Sequence, residues 1–143
     1  MPAAPEPDAI PAGVPAPASF IRAARAALRQ SPAAVDPWFH GYLDDLLDDA
    51  GLRTWVRAKH QLLALAGGVQ DRVVVDAGSG FGMVANLLAA WGARRVWAVD
   101  VHERMVHSHA LVNRAHFGEL HGRVLPVVAD SARLPLPTAS ASN

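Results

Sequence analysis

The chain of 143 residues contains no cysteine, and its only lysine is Lys59. The absence of cysteine excludes disulfide bonds and thiolate metal sites, which fits a reducing compartment, and we expect a cytoplasmic protein. Basic and acidic residues are balanced at 13 each. Because no large field of one sign is present, neither nucleic acid nor an anionic membrane is expected as a partner.

Long apolar runs are also missing. No stretch approaches the roughly 20 residues that a membrane-spanning helix needs. No lysine or arginine precedes Arg22, and prolines interrupt the first apolar residues. A secretory signal needs a basic start and an unbroken apolar segment, so none is expected.

Composition divides the chain into three parts. Residues 1–18 are rich in proline and alanine and predict a disordered tail. Residues 19–68 predict helices, at 19–30, 36–51 and 53–66, with Gly51 ending the second. Residues 69–143 alternate between short β-branched runs and helical patterns. The predicted domains are therefore a tail (1–18), a helical segment (19–68) and a partial α/β domain (69–143).

Two charged clusters in the helical segment are interpreted as solvated faces. One is a basic face on the first helix, made of Arg22, Arg25 and Arg29. The other is the group of aspartates at 44, 45, 48 and 49, which lacks the loop glycine and the spacing of an EF-hand.

The α/β segment predicts three strands, at 72–76, 95–100 and 123–128, separated by helices at 82–91 and 103–117. Strand and helix alternation at this spacing predicts a right-handed parallel sheet. The fold class is therefore α/β, a Rossmann-like three-layer fold with parallel strands, incomplete and preceded by helices.

The first strand runs into a glycine loop at residues 76–82, with the sequence DAGSGFG. Glycines allow sharp turns and close approach of the backbone to a ligand, and the following helix presents free N–H groups. A dinucleotide fingerprint would need Gly or Ala where Met83 stands. The loop instead follows the pattern D-x-G-x-G-x-G, and the next two strands end on Asp100 and Asp130.

This combination resembles the class I methyltransferases that use S-adenosylmethionine (SAM). Residues 76–82 match their first motif, Asp100 resembles their second, and residues 129–137 (ADSARLPLP) resemble the segment after their third strand, with Ser131 where alanine is common. The resemblance covers about residues 73–137. It implies SAM as cofactor and methyl transfer as activity, and the LPLP segment leans toward a small-molecule substrate.

The resemblance also implies a role for each site residue. Asp76 would lie near the methionine amino group, and the glycines would let the backbone pass close to the cofactor. Asp100 would hold the ribose, Val101 would pack on adenine, and Asp130 and Ser131 would define the adenine pocket. The implied cofactor-binding residues are Asp76, Gly78, Gly80, Gly82, Asp100, Val101, Asp130 and Ser131.

The family's sheet has seven strands, of which this sequence supplies the first three. We therefore expect a cofactor-binding fragment, truncated, frameshifted or split, with no recognisable catalytic base. The first strand would leave an exposed edge that invites self-association. Two other functions remain open: a non-catalytic SAM- or nucleotide-binding or interaction module, and an oxidoreductase domain that binds NAD(P) or FAD.

The five histidines between His102 and His121 are interpreted as surface residues. Three of them, at 102, 109 and 116, repeat every seven residues. Zinc sites prefer closer ligand spacing, often with cysteine or carboxylate, so no metal site is predicted.

Overall fold

The computed structural model describes residues 10–11, 13–30, 47–120, 122–134 and 136. In these residues, two helices precede a β-α-β-α-β unit. The predicted elements of that unit are confirmed, with each end within one residue of its prediction. The elements are α1 (Ala18–Gln30), α2 (Asp49–Leu65), β1 (Val73–Ala77), α3 (Met83–Ala90), β2 (Arg95–Asp100), α4 (Glu103–His116) and β3 (Val124–Val128).

The three strands form one parallel sheet in the order β1-β2-β3. Asp76 lies opposite Ala98, and Asp100 lies opposite Val128. The chain crosses the sheet in the same direction twice, so right-handed crossovers place α3 and α4 on the same face. The carboxyl ends of all three strands meet at one edge of the sheet, where the predicted aspartates lie.

Among the described residues, β1 pairs with β2 alone. Its outer edge is therefore without a ladder partner in this part of the chain. Self-association through that edge stays a prediction.

The core lies between the sheet and its helices. Val96 and Ala98 on β2 are fully buried, and Leu87 on α3 is buried against the same cluster. α1 packs across α3 and α4, where the rings of Phe20 and Phe117 lie 5.9 Å apart. α1 therefore covers the outer side of the two helices near their carboxyl ends.

The predicted disordered tail needs a correction at its carboxyl end. Ile10, Val14 and Ala16 pack against the core, and the Trp91 indole Nε1 donates to the Pro15 carbonyl oxygen at 2.7 Å. These contacts give the segment a partner that its composition does not reveal. Residues 1–9 and 12 lie outside the described residues.

Gly51 does not end a helix, contrary to the prediction. It lies in the first turn of α2, and its N–H donates to Asp48 Oδ2 at 2.8 Å, so Asp48 caps the helix. Residues 36–46 of the predicted second helix lie outside the described residues. α2 has 17 residues of mixed polarity, and no described helix combines the length and the apolar character that crossing a membrane requires.

Arg25 does not belong to a solvated basic face. Its side chain is 3% exposed, and Nη2 lies 2.8 Å from Oδ1 of Asp49. Helical spacing explains the error, because Arg25 is four residues after buried Ile21 and three before Leu28, on the apolar face. Asp49, assigned to the solvated acidic cluster, is its partner and joins α2 to α1.

Candidate cofactor site

The glycine loop turns through three residues with left-handed backbone. The φ angles of Gly78, Gly80 and Gly82 are +72°, +55° and +81°, a region that side chains with a Cβ disfavour. The amides of Gly78 and Ser79 both donate to the Val99 carbonyl oxygen, at 2.8 and 2.9 Å, and Gly82 N donates to the Ser79 carbonyl oxygen at 2.9 Å. These hydrogen bonds hold the loop against the end of β2, and Gly82 is the N-cap of α3.

Asp100 joins this loop to the turn after β2. Its Oδ2 accepts from Gly80 N at 2.9 Å, and its Oδ1 accepts from His102 N at 2.8 Å and lies 2.8 Å from His102 Nδ1. Burial would raise the pKa of Asp100, but these hydrogen bonds outweigh burial and hold the pKa below its ordinary value. Asp100 is an ionised carboxylate fixed in position, with room at Oδ2 for one further donor.

Asp76 lies in a different environment at the end of β1. Its Oδ2 is buried and has no hydrogen-bond partner among the described residues. Burial raises the pKa of Asp76 to about 6; the charge of Lys59 acts against this rise, and that of Asp100 adds to it. A buried acceptor without a donor is rare in folded proteins, and here it belongs to the first residue of the glycine loop.

Predicted residues that end or follow the three strands converge on an open cleft of about 370 Å³, whereas Asp76 lines neither this cleft nor the cavity beside it. Asp130 lies on its rim, held by the Ala132 amide, which donates to Asp130 Oδ1 at 2.9 Å. Five predicted residues line this cleft: Gly78, Asp100, Val101, Asp130 and Ser131. Gly80 and Gly82 line a neighbouring cavity of about 250 Å³, which shares Gly78 with the cleft.

Two residues that contribute to the site were missed by the sequence analysis. His102, interpreted as a surface histidine, lines the cleft and contacts Asp100. Met105 lines the smaller cavity beside the glycine loop. The only signal in the sequence was their position, two and five residues after the aspartate that ends β2.

His109 was also assigned to the surface, and this prediction is wrong. Its side chain is 1% exposed, and burial lowers its pKa to about 4. His102 and His109 therefore do not share a surface stripe. No three His, Cys, Asp or Glu side chains of the described residues come close enough together to hold a metal ion.

Comparison with known proteins finds similarity to methyltransferases. Residues 75–142 match the methyltransferase domain family. No curated protein matches the chain. Among solved structures, the chain is similar to a proposed RNA methyltransferase from Pyrococcus horikoshii, at 28% identity and a TM-score of 0.43. The match covers 52% of this chain and 37% of that protein, so the chain spans little more than a third of its length.

Proposed function

We propose that the cleft binds SAM for methyl transfer. Residues 75–142 match the methyltransferase domain family, which uses SAM as methyl donor. When bound, SAM would supply a sulfonium methyl group for in-line transfer to a nucleophile, with S-adenosylhomocysteine as the leaving group. The residues of this chain contribute binding, orientation and exclusion of water.

One observation carries the proposal. Residues from the ends of three successive parallel strands, 22 to 31 positions apart along the chain at Gly78, Asp100 and Ser131, line a single cleft. If the aspartates only capped strand ends, they would not need to share a cavity. Ligands of open parallel sheets bind at this edge.

The adenosine part of SAM fits the polar and apolar groups of the cleft. Asp100 is ionised and oriented, and its Oδ2 can accept a ribose hydroxyl in addition to Gly80 N. His102 is exposed enough for its ring to move off Oδ1 and free a second acceptor site. Val101 is 63% exposed at the rim, which suits a side chain that packs on adenine.

The methionine part of SAM carries an α-ammonium group, and Asp76 suits it. The buried Oδ2 lacks a donor among the described residues, and an ammonium group would supply one together with a compensating charge. Binding would then favour the ionised form of Asp76. The orphaned oxygen supports the proposal that a cationic group of the ligand binds beside Asp76.

Calorimetric titration of the full chain with SAM, S-adenosylhomocysteine and NADH tests the proposal. We expect saturable binding of the first two, weakened at least about tenfold (about 1.4 kcal/mol) by Asp100→Ala. Glu119→Ala, which removes an exposed carboxylate outside the cleft, is the matched control and should leave the affinity unchanged. Absence of SAM binding by the folded chain contradicts the proposal, and NADH binding in its place favours an oxidoreductase domain.

Turnover separates an enzyme from a non-catalytic SAM-binding module. An enzyme forms S-adenosylhomocysteine from SAM in the presence of a methyl acceptor, whereas a module binds SAM without forming it. For the acceptor we propose a small molecule, because the 13 basic and 13 acidic residues give no net attraction for a polyanion. Fluorescence anisotropy with labelled RNA is expected to show no saturable binding, and tight, salt-sensitive binding would refute a small-molecule acceptor.

A further inference from the structure

Three polar side chains between α3 and α4 are buried although the proposed function does not use them. Asn86 on α3 is 0% exposed, and His109 and Asn113 on α4 are each 1% exposed. Buried polar groups cost stability unless they are hydrogen-bonded, so a triad at this depth needs a reason.

The two asparagines satisfy each other without the histidine. Asn86 Nδ2 donates to Asn113 Oδ1 at 2.8 Å, and Asn113 Nδ2 donates to Asn86 Oδ1 at 3.0 Å. The His109 Nε2 atom lies 3.0 Å from Asn86 Oδ1 and 3.1 Å from Asn113 Nδ2, so it finds an acceptor or a donor in either neutral tautomer. His109 Nδ1 is buried and has no hydrogen-bond partner among the described residues. The histidine is therefore not required to complete this pair.

The imidazole ring instead occupies the space beside Gly82. A Cβ placed on Gly82 would overlap three atoms of the His109 ring. Gly82 is the last residue of the glycine loop and the N-cap of α3. Glycine is needed there for its φ of +81° and also because the ring lies against its Cα.

The neighbouring turn of α4 supports the same loop. Met105, four residues before His109, lines the cavity formed by residues 78–84, and its Sδ would lie 4.0 Å from a Cβ on Gly80. Residues four apart on a helix share a face. One face of α4 thus presents Met105 to Gly80 and His109 to Gly82.

We propose that His109 is a positioning residue for cofactor binding: its ring packs against Gly82 and fixes the end of the glycine loop at the start of α3. Asn86 Oδ1, 3.0 Å from His109 Nε2, orients the ring. This inference rests on the proposed function for its effect on SAM affinity, but the packing of the loop can be measured without any ligand.

Amide hydrogen exchange in the ligand-free chain tests the packing directly. Gly82, which lies beside His109, donates its amide to the Ser79 carbonyl oxygen. The amide of Gly78 donates to the Val99 carbonyl oxygen on β2. In His109→Ala, we expect the Gly82 amide to exchange at least about tenfold faster and the Gly78 amide to stay within about twofold. Equal acceleration at both amides would mean general loosening, and no acceleration at Gly82 would refute the proposal.

Asn113→Ala is the matched control, since it removes a buried polar side chain from the same helix and leaves the ring in place. We expect it to lower the free energy of unfolding while leaving Gly82 exchange and SAM affinity within about threefold of wild type. His109→Ala should weaken SAM binding at least about tenfold. If the two variants have equal effects on exchange and affinity, the triad only joins the helices and the proposal fails.

His109→Phe keeps a flat ring without its nitrogens and also serves if His109→Ala does not fold. It should restore slow exchange at Gly82 and most of the SAM affinity, whereas loss of both would mean that the nitrogens, and not the ring, are what matters. If the wild-type chain binds no SAM, the proposed function is wrong, and the exchange rates of Gly82 still decide whether His109 positions the loop.

Discussion

Asp76 and Asp100 end neighbouring strands and differ sharply in their surroundings. Two backbone amides donate to the Asp100 carboxylate, and the imidazole of His102 lies against it. Asp76 has a buried oxygen that no described residue contacts by a hydrogen bond. The pKa of Asp100 is lowered, while burial raises that of Asp76 to about 6.

The difference separates what the fold provides from what a ligand must provide. Asp100 is part of the scaffold, since it links the glycine loop to the turn after β2 in the ligand-free chain. Asp76 is destabilising when ionised and unpaired, as expected of a group whose partner arrives with the ligand. One residue type thus serves as a structural link at Asp100 and, in our proposal, as a receptor for a cation at Asp76.

The largest effect should come from Asp100→Asn. The amide keeps one acceptor oxygen and turns the other into a donor, which must face either Gly80 N–H or the donors of His102. We expect the free energy of unfolding to fall by about 3 kcal/mol, because charge-assisted bonds are replaced by a donor–donor contact. Urea denaturation monitored by tryptophan fluorescence measures it, and a loss well under about 1 kcal/mol would show that Asp100 does not link the two turns.

The corresponding substitution at Asp76 should raise the free energy of unfolding. Asp76→Asn removes an unpaired buried charge at pH 7, so we expect a gain of about 2 kcal/mol in the free energy of unfolding. SAM should bind at least about tenfold more weakly, since the ammonium group loses its counter-charge. Adenosine, which lacks that group, should bind as it does to wild type. A variant that is less stable and binds SAM normally would contradict both halves of the comparison.

The pH dependence of stability should resolve two opposing contributions. The pKa of Asp76 is raised in the folded state, so its contribution to stability is present below its unfolded pKa of 3.8 and is lost as pH rises through about 6. The pKa of His109 is lowered from 6.5 to about 4, so its contribution is present above 6.5 and is lost as pH falls toward 4. Acidification therefore strengthens one contribution and weakens the other.

Single variants separate these two contributions. Between pH 7 and 4.5, Asp76→Asn should lose about 2 kcal/mol more stability than wild type, because the losses from His109 and Asp100 are then not offset by Asp76. His109→Phe should lose less than wild type over the same range. Chemical denaturation across this range measures how the free energy of unfolding of each protein changes with pH. Parallel curves for all three proteins would show that neither Asp76 nor His109 has a shifted pKa.

Local patterns were sufficient to predict the sheet and the edge of the sheet where the strand-end aspartates lie. Short β-branched runs marked the three strands, and aspartates at their ends fell at one edge because parallel strands share a direction. The cleft then gathered Gly78, Asp100 and Asp130 as the strand order required. These inferences needed only residues close in sequence and one rule of topology.

The errors arose where a residue's partner is distant in sequence. Arg25 was predicted to be exposed because it is charged, although its neighbours on the same helix face are apolar and its partner Asp49 lies 24 residues away. His109 was predicted to be exposed because it belongs to a seven-residue repeat of histidines. The buried face of α4 instead contains Met105 and Asn113, each four residues from His109. Polar residues on a buried face conceal its periodicity, and only the packing of α4 against the glycine loop reveals it.

The smallest effect should come from Val101, the residue next to Asp100. Its side chain is 63% exposed and lines the cleft, so it contributes little to the fold. Val101→Ala removes two methyl groups that would be buried only against a ligand, and we expect SAM and adenosine to bind about three- to fivefold more weakly, with the free energy of unfolding unchanged. Parallel calorimetry with the two ligands measures this effect. Equal losses for both ligands would place Val101 at the adenine end of the cleft, and Asp76→Asn, which should leave adenosine binding unchanged, would then identify the methionine end. A loss for SAM alone would mean that the ligand binds in the opposite orientation.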